Sequence, residues 1–558
     1  MARRSRQVEA LDLASHRASE LSEHKPLPRP PLLRAHLHLQ HIDTKRKGNL
    51  IWSGAGKYNN RNIFGFKPVT YKGAPHLSLY ITGEDLNDGL DTDSAVVILN
   101  DQYEEVARSH DGWYDLHEFN VLEATGSHTA LVSTNRWQGH NATEIGQGER
   151  VLANPGFREI ELSSGKTVFE WDALAGGVRV NESYDAAGQV EDYDGVWDFF
   201  HINAVDKFAN GDYLVSARHT STIYKVSGTS GQVIWRLGGY ASDFATEDDG
   251  LEFVWQHHAR IWSDNATHTL ISVFDNHGDD EGRNREIPEQ TSAVKFILLD
   301  TVGMTAEIVR RIDRPDAGTS HKLGNVQVLS GEDDVRTATL LIEWGLEGYL
   351  SEHTATDLVM EAKYVSDRMS SYRGYKAAWV GRPKELPALA IAPMATSNGV
   401  VSTFYTSCNG ATEVASWSFY GCDTEDRPCK WLGNATRSGF ETAFVAPSLV
   451  RYGYVEAIDI HGTVLQGSSL AMIPETALAS YGIAADASIM TSQELQEEAQ
   501  DEELTTDEGT LTSLRYHISV SSVIVYTLAL FGGISLVRTA LPLASRWRHG
   551  YKRIDIDE

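Results

Sequence analysis

The chain has 558 residues, 41% of them hydrophobic, and a formal net charge of −28. That is ample apolar material for a large core, and so acidic a balance excludes a nucleic-acid partner, whose phosphates need a basic groove. Three cysteines are too few for a disulfide framework. Cys422 and Cys429 lie close enough in sequence to form one bridge, with Cys408 left over; three reduced thiols are the alternative.

Residues 1–47 hold ten Lys or Arg and a proline cluster, and read as a disordered basic arm. His36, His38 and His41 within it have metal-ligand chemistry but read as incidental. From Gly48 the pattern turns to alternating strands: NLIWSG, HLSLYITG, SAVVILN, then a DLHEF strand and GFREIELSSGKTVFEW. The stretch FHINAVDKFANGDYLVSARHTSTIYKVSGTSGQVIWRLGG, 200–239, holds four short alternating runs separated by turn residues, the size of one propeller blade. A two-residue turn at Asn210-Gly211 would place Asn203 opposite Arg218, with His201 on the same face and His219 on the other. An imidazole, an amide and a guanidinium on one patch suit a tetrahedral oxyanion. Further strands follow to about 473. Those of 389–473 either complete a propeller or form an appended β-sandwich, and 371–388 reads as a crossing segment.

Several pieces together carry a resemblance: HINAV, SAR, IWRLGG, WQHHAR and FDN, with GNLIWSG, DLHEF, VFEW, GNVQ, EWG and NGATEVASW around them. In this order they resemble the arylsulfate sulfotransferase-like family, most closely its eukaryotic, mainly fungal branch, over roughly 48–470. The resemblance implies an all-β fold, a β-propeller expected to have six blades. It implies transfer of a sulfuryl group between phenolic oxygens, independent of a nucleotide sulfate donor, with no cofactor and no metal. Its covalent histidine falls on His257, after Gln256; the neighbouring His258 stands where the family commonly has an acidic residue. His201, Asn203 and Arg218 would hold the sulfuryl oxygens, and His117 of DLHEF would act as general acid and base. His277 reads as structural, with Asp275 and Asn276 as turn formers, and Trp171, Trp235 and Trp344 as packing between blades.

Residues 474–515 read as an acidic stalk, with eight carboxylates and no Lys or Arg in 491–510. Residues 516–538 read as a single transmembrane helix and 539–558 as a basic cytosolic tail, which puts the large N-terminal part outside the cell or in a lumen. Sequons at Asn141, Asn181, Asn265 and Asn434 fit that side. Family members usually begin with a signal peptide and residues 1–47 contain no such apolar run, so a missing N-terminal leader is expected. Two functions compete: a membrane-anchored aryl sulfotransferase acting on small phenolic and aryl sulfate substrates, and a catalytically inactive propeller serving as a binding scaffold. Hydrolysis of the sulfate by water differs from the first only in its acceptor.

Overall fold

A computed structural model describes residues 48–483 apart from 84–93, 123–127, 186–194, 249, 280–287, 330–333, 365–369, 423 and 426–427. It also gives the backbone of two short strands, Glu9–Leu11 and His38–His41. His38–His41 pairs antiparallel with Asn49–Ser53 on one side and with Glu9–Leu11 on the other, so parts of the arm expected to be disordered take their order from backbone pairing at a sheet edge.

Five antiparallel sheets follow one another along the chain, each built up and down from consecutive strands. The first is Ile63–Tyr71, Ala74–Ile81, Ala95–Leu99 and Glu105–His110. The second is Tyr114–Val121, Thr129–Asn141, Glu149–Glu161 and Thr167–Asp172, with Val196–Asp198 pairing parallel to its third strand. The third runs Ile202–Lys207, Tyr213–Ala217, Thr222–Val226 and Val233–Gly238, and the fourth His257–Asp264, His268–Asp275, Ala293–Asp300 and Thr305–Asp313. Asn325–Val328, Leu340–Glu343, Tyr349–His353 and Leu358–Lys363 make the fifth.

Position in the sheet decides the residue pattern. Middle strands such as AVVIL at 95–99 are buried on both faces and therefore read as unbroken apolar runs, whereas the last strands, such as EVARSH at 105–110, are edges and carry charge. Apolar layers join each sheet to the next. Phe64 and Val96 meet Val132 and Ile160; Phe157 and Trp171 meet Val205 and Tyr213. Leu214 and Trp235 meet Ile271 and Ile297; Phe274 and Phe296 meet Val326 and Trp344. Each such fully buried side chain contributes about 1.5–3 kcal/mol. The three tryptophans expected to pack between sheets, Trp171, Trp235 and Trp344, are all buried.

Beyond the fifth sheet the up-and-down order stops. Ala388–Thr396, Gly399–Ser407 and Glu441–Val445 form one sheet, and Lys430–Thr436, Ser416–Cys422, Tyr452–Ile458 and Val464–Gly467 another, with Ala471–Met472 at its side. The two face each other across Phe404, Phe419 and Phe444, the last two stacked at 4.3 Å. Cys422 and Cys429 are joined by a disulfide with Cα atoms 4.3 Å apart, and Cys408 is free and buried.

The all-β expectation is met, but the six-bladed propeller with a C-terminal transmembrane helix is corrected. Among the described residues there are five meanders, then two sheets that exchange strands, and no sheet closes on itself. Period-two alternation marks a strand and its buried face, yet it does not say which strand it pairs with. No helix among the described residues is long and apolar enough to cross a membrane. Residues 516–538 lie outside the described residues, as do most of the stalk and the tail; the stalk's first residues form a short helix, Glu475–Ser480.

Candidate active site

The first strand of each meander carries buried polar residues: Lys67, His117 and Glu118, Asn203, His257 and His258, and Asn325. Such groups are tolerated inside only when paired. Glu118 accepts from Arg260 at 2.7 Å and from Arg373 at 3.0 Å. Burial alone would raise its pKa, but Arg260 and Arg373, then Lys67, outweigh that and hold it down at about 2. Lys67 is pushed down to about 8, chiefly by burial.

Arg373 belongs to the crossing segment. Its Nη2 donates to the carbonyl of His117 at 2.9 Å and to that of Asn203 at 2.8 Å, and Tyr372 Oη donates to the same His117 carbonyl at 2.7 Å. Asn325 and Gly374 exchange two hydrogen bonds of 3.0 and 2.8 Å, and Gln327 and Lys376 exchange two of 2.9 and 2.7 Å. Tyr375 Oη reaches His258 Nε2 at 3.3 Å. Five consecutive residues thus tie the second, third, fourth and fifth sheets together through polar contacts.

The candidate residues gather beside this tie. His117 and His201 meet edge to face with ring centroids 4.6 Å apart, and His201 stacks on His219 at 4.4 Å. Each of the first two is held by a carboxylate at Nδ1: Asp115 on His117 at 2.6 Å, and Asp198 on His201. The His117 charge, against the opposing effect of burial, keeps Asp115 below the ordinary carboxylate range. Arg218 lies 3.0 Å from His219 Nε2, pairs with Asp279 at 3.0 Å, and sits over the Trp255 ring at 5.3 Å. Asn203 donates to the carbonyl of Gln256 at 2.7 Å, while its Oδ1 is buried with no hydrogen-bond partner among the described residues. That bond ties the third sheet to the residue preceding His257.

His257 follows Gln256 at the start of the fourth sheet's first strand. Its Nδ1 lies 2.7 Å from Asn276 Oδ1 and 3.1 Å from the Trp255 carbonyl, and the Leu323 N–H points at its Nε2 from 3.4 Å. These partners make Nδ1 the protonated nitrogen and leave the Nε2 lone pair toward Leu323. Asn276 is therefore an orienting residue, not a turn former, and Asp275 is a buried partner of Lys295 at 2.7 Å. His258 contributes no charge: burial, then Arg260, Arg373 and Lys67, push it well below the ordinary histidine value.

The expected hairpin register is wrong, although the residues still converge. Phe208 pairs with Asp212 around a three-residue loop in which Gly211 has φ 93°. Asn203 sits at a bulge between the pairs Ile202–Ala217 and Ala204–Ser216. Asn203 is thus not opposite Arg218, and His219, expected on the other face, stacks in the cluster. Bulges re-aim side chains next to functional sites. His201, Trp255, His258 and Leu323 all have φ between 53° and 64°, costly for residues other than glycine.

Access is narrow. His117 and His201 retain 7% and 8% exposure, against 2% or less for Asn203, Arg218 and His257. Sequence reasoning missed Asp115, Asp198, Glu118, Asn276 and Arg373; an Asp two or three residues before each histidine was the available signal. Donor atoms of Asp198, His201 and His219 lie within 4.8 Å of one another, a spacing open to a metal ion. The arrangement fits a cation poorly, because Arg218 and the Asp198 carbonyl already engage both nitrogens of His219 and a guanidinium stands alongside.

No curated protein matches the chain. Among solved structures, a Bacteroides caccae protein of unknown function is similar at 12% identity and TM-score 0.33, covering 66% of this chain and 99% of its own. A variant of the GH43 protein BlXynB from Bacillus licheniformis is similar at 8% identity and TM-score 0.28, covering 73% and 89%. Likenesses at that level carry no argument. The family model described as Arylsulfotransferase (ASST) matches residues 90–365, a span that contains His117, His201, Asn203, Arg218 and His257. That stretch of the chain belongs to the arylsulfotransferase family.

Proposed function

We propose that the chain transfers a sulfuryl group from an aryl sulfate to a phenol through a sulfohistidine at His257. The observation that carries the reading is the pair of carboxylate-held imidazoles, brought from two sheets to 4.6 Å beside a buried guanidinium. Nε2 of His257 attacks sulfur; the bond to the aryl oxygen breaks and its electron pair leaves as phenolate, which takes a proton from the His117 imidazolium. The acceptor phenol then returns a proton to His117, and its oxygen displaces Nε2 from sulfur. Arg218 and the second N–H of Asn203 offset charge on the sulfuryl oxygens, a role suited to a loose transition state. An extracellular or lumenal setting is part of the proposal, supported by the Cys422–Cys429 disulfide.

The test is release of a chromogenic phenol from its sulfate by the purified chain, with a second phenol as acceptor. Rapid quenching should trap one SO3 on the peptide containing His257, and His257→Ala should abolish both signals. The 2% exposure of His257 favours a second reading, a site that binds sulfated aromatics without turning them over. Tight binding with neither phenol release nor a labelled peptide would establish that reading instead.

A further inference from the structure

The outer face of the Ser416–Cys422 sheet carries a row of aromatic rings. Tyr420 pairs across the ladder with Trp431 on one side and Tyr454 on the other, so all three project from one face. Tyr420 and Tyr454 stack at 4.6 Å with planes 2° apart. Trp431 is 60% exposed, a large uncovered indole beside a strand whose other face buries Trp417 and Phe419.

The next row of the same face is polar: Asn434, Ser418 and Glu456. Trp431 Nε1 donates to Asn434 Oδ1 at 3.0 Å, and Ser418 Oγ donates to the same oxygen at 2.8 Å. Asn434 is the exposed acceptor of an Asn-Ala-Thr sequon, with Thr436 exposed behind it. The two bonds to Oδ1 hold the amide with its nitrogen turned away from both donors, beside an uncovered ring.

We infer that Asn434 carries an N-linked glycan whose first sugar lies on the Trp431 ring, with Tyr420 and Tyr454 extending the platform. In the modification, Nδ2 of Asn434 bonds to the anomeric carbon of a glycan carried on a lipid diphosphate. The diphosphate leaves with the bonding pair, and one amide proton goes to a base of the transferring enzyme. The C–H face of a pyranose is apolar and matches a flat ring in size, so the sugar covers area that water now wets. The other sequons lack this arrangement. Trp262 precedes Asn265 by the same three residues but is half-buried against Phe296.

The inference rests on the extracellular or lumenal setting proposed above, and the test separates the two. The full chain is expressed in a secreting eukaryotic cell. Occupancy is read at Asn141, Asn181, Asn265 and Asn434 by amidase release in heavy-oxygen water and peptide mass. High occupancy at Asn434 is expected. Thr436→Ala, which removes the sequon but keeps Asn434, should lower Tm by about 2 °C in the native background. In a Trp431→Ala background the same change should shift Tm by less than about half a degree. Occupied neighbours with a bare Asn434, or equal Tm shifts in both backgrounds, overturn the inference. Four bare sequons overturn the compartment and this inference with it, leaving the proposed chemistry untouched.

Discussion

The centre of the five meanders and the interior of the last two sheets are both buried, yet they are built from opposite materials. In the last two sheets Phe404, Phe419 and Phe444 interlock, and any large apolar group of similar shape would serve. At the centre, Glu118, Arg260, Arg373 and Lys67 replace that packing, each dependent on the others. Buried ion pairs of this type stabilise less than well-packed hydrocarbon, so their presence calls for a reason beyond stability. The carbonyls that Arg373 holds belong to His117 and Asn203, and the reason we assign is the spacing of the site.

The sharpest way to break that contrast is a pair of deletions of similar cost. Arg373→Met leaves a buried carboxylate and two carbonyls short of a donor, and should destabilise by about 3–5 kcal/mol in thermal melts. Phe419→Ala should cost a similar 3–5 kcal/mol by opening a cavity. The two should differ in catalysis: molecules that remain folded keep kcat in the Phe419 variant and lose it in the Arg373 variant. Equal retention of kcat would show that the central tie only holds the fold.

Acid should separate the two regions next. Glu118 has its folded pKa depressed to about 2 from an ordinary 4.5, so its contribution is complete above pH 4.5 and disappears as pH falls toward 2. That is worth roughly 3 kcal/mol, and hydrogen exchange at low pH should rise first in the 114–121 and 202–207 strands. Strands 416–422 and 441–445 opening earlier would contradict the assignment.

Smaller in stability, though not in rate, is Asp198→Asn. The amide removes the negative charge that faces Nδ1 of His201, and kcat should fall about 10²-fold with Tm nearly unchanged. Asp115→Asn should do the same and shift the acid limb of the pH–rate profile, which a merely structural change would leave alone. Smallest in rate is Cys422→Ser, which should leave turnover unchanged while costing about 2 kcal/mol of stability through loss of the short disulfide loop.

What could be read from the chain follows from what each residue answers to. The meanders were legible because alternation and turn residues are local. The five candidate residues could be singled out because each sits in a short motif, His117, Asn203 and His257 on first strands, His201 just before one and Arg218 just after a second strand; their roles belong to the proposal. The register around Asn203 was not, since a turn of three residues and one bulge each displace the ladder, and neither leaves a sequence mark stronger than Asn210-Gly211. The strand exchange after residue 388 and the role of Arg373 depend on partners far along the chain, which no window of sequence contains.

That distance has a consequence for synthesis. Arg373 and Tyr372 bond to strand 114–121 across 255 residues of chain, and both lie beyond residue 365, where the family match ends. While the ribosome is still making the fifth sheet, the second and third can already pack on each other through Phe157, Trp171, Val205 and Tyr213, but the guanidinium that grips the carbonyls of both His117 and Asn203 is not yet there. A nascent protein released there would hold His117, His201, Asn203, Arg218 and His257 and still lack the five residues that tie their strands together.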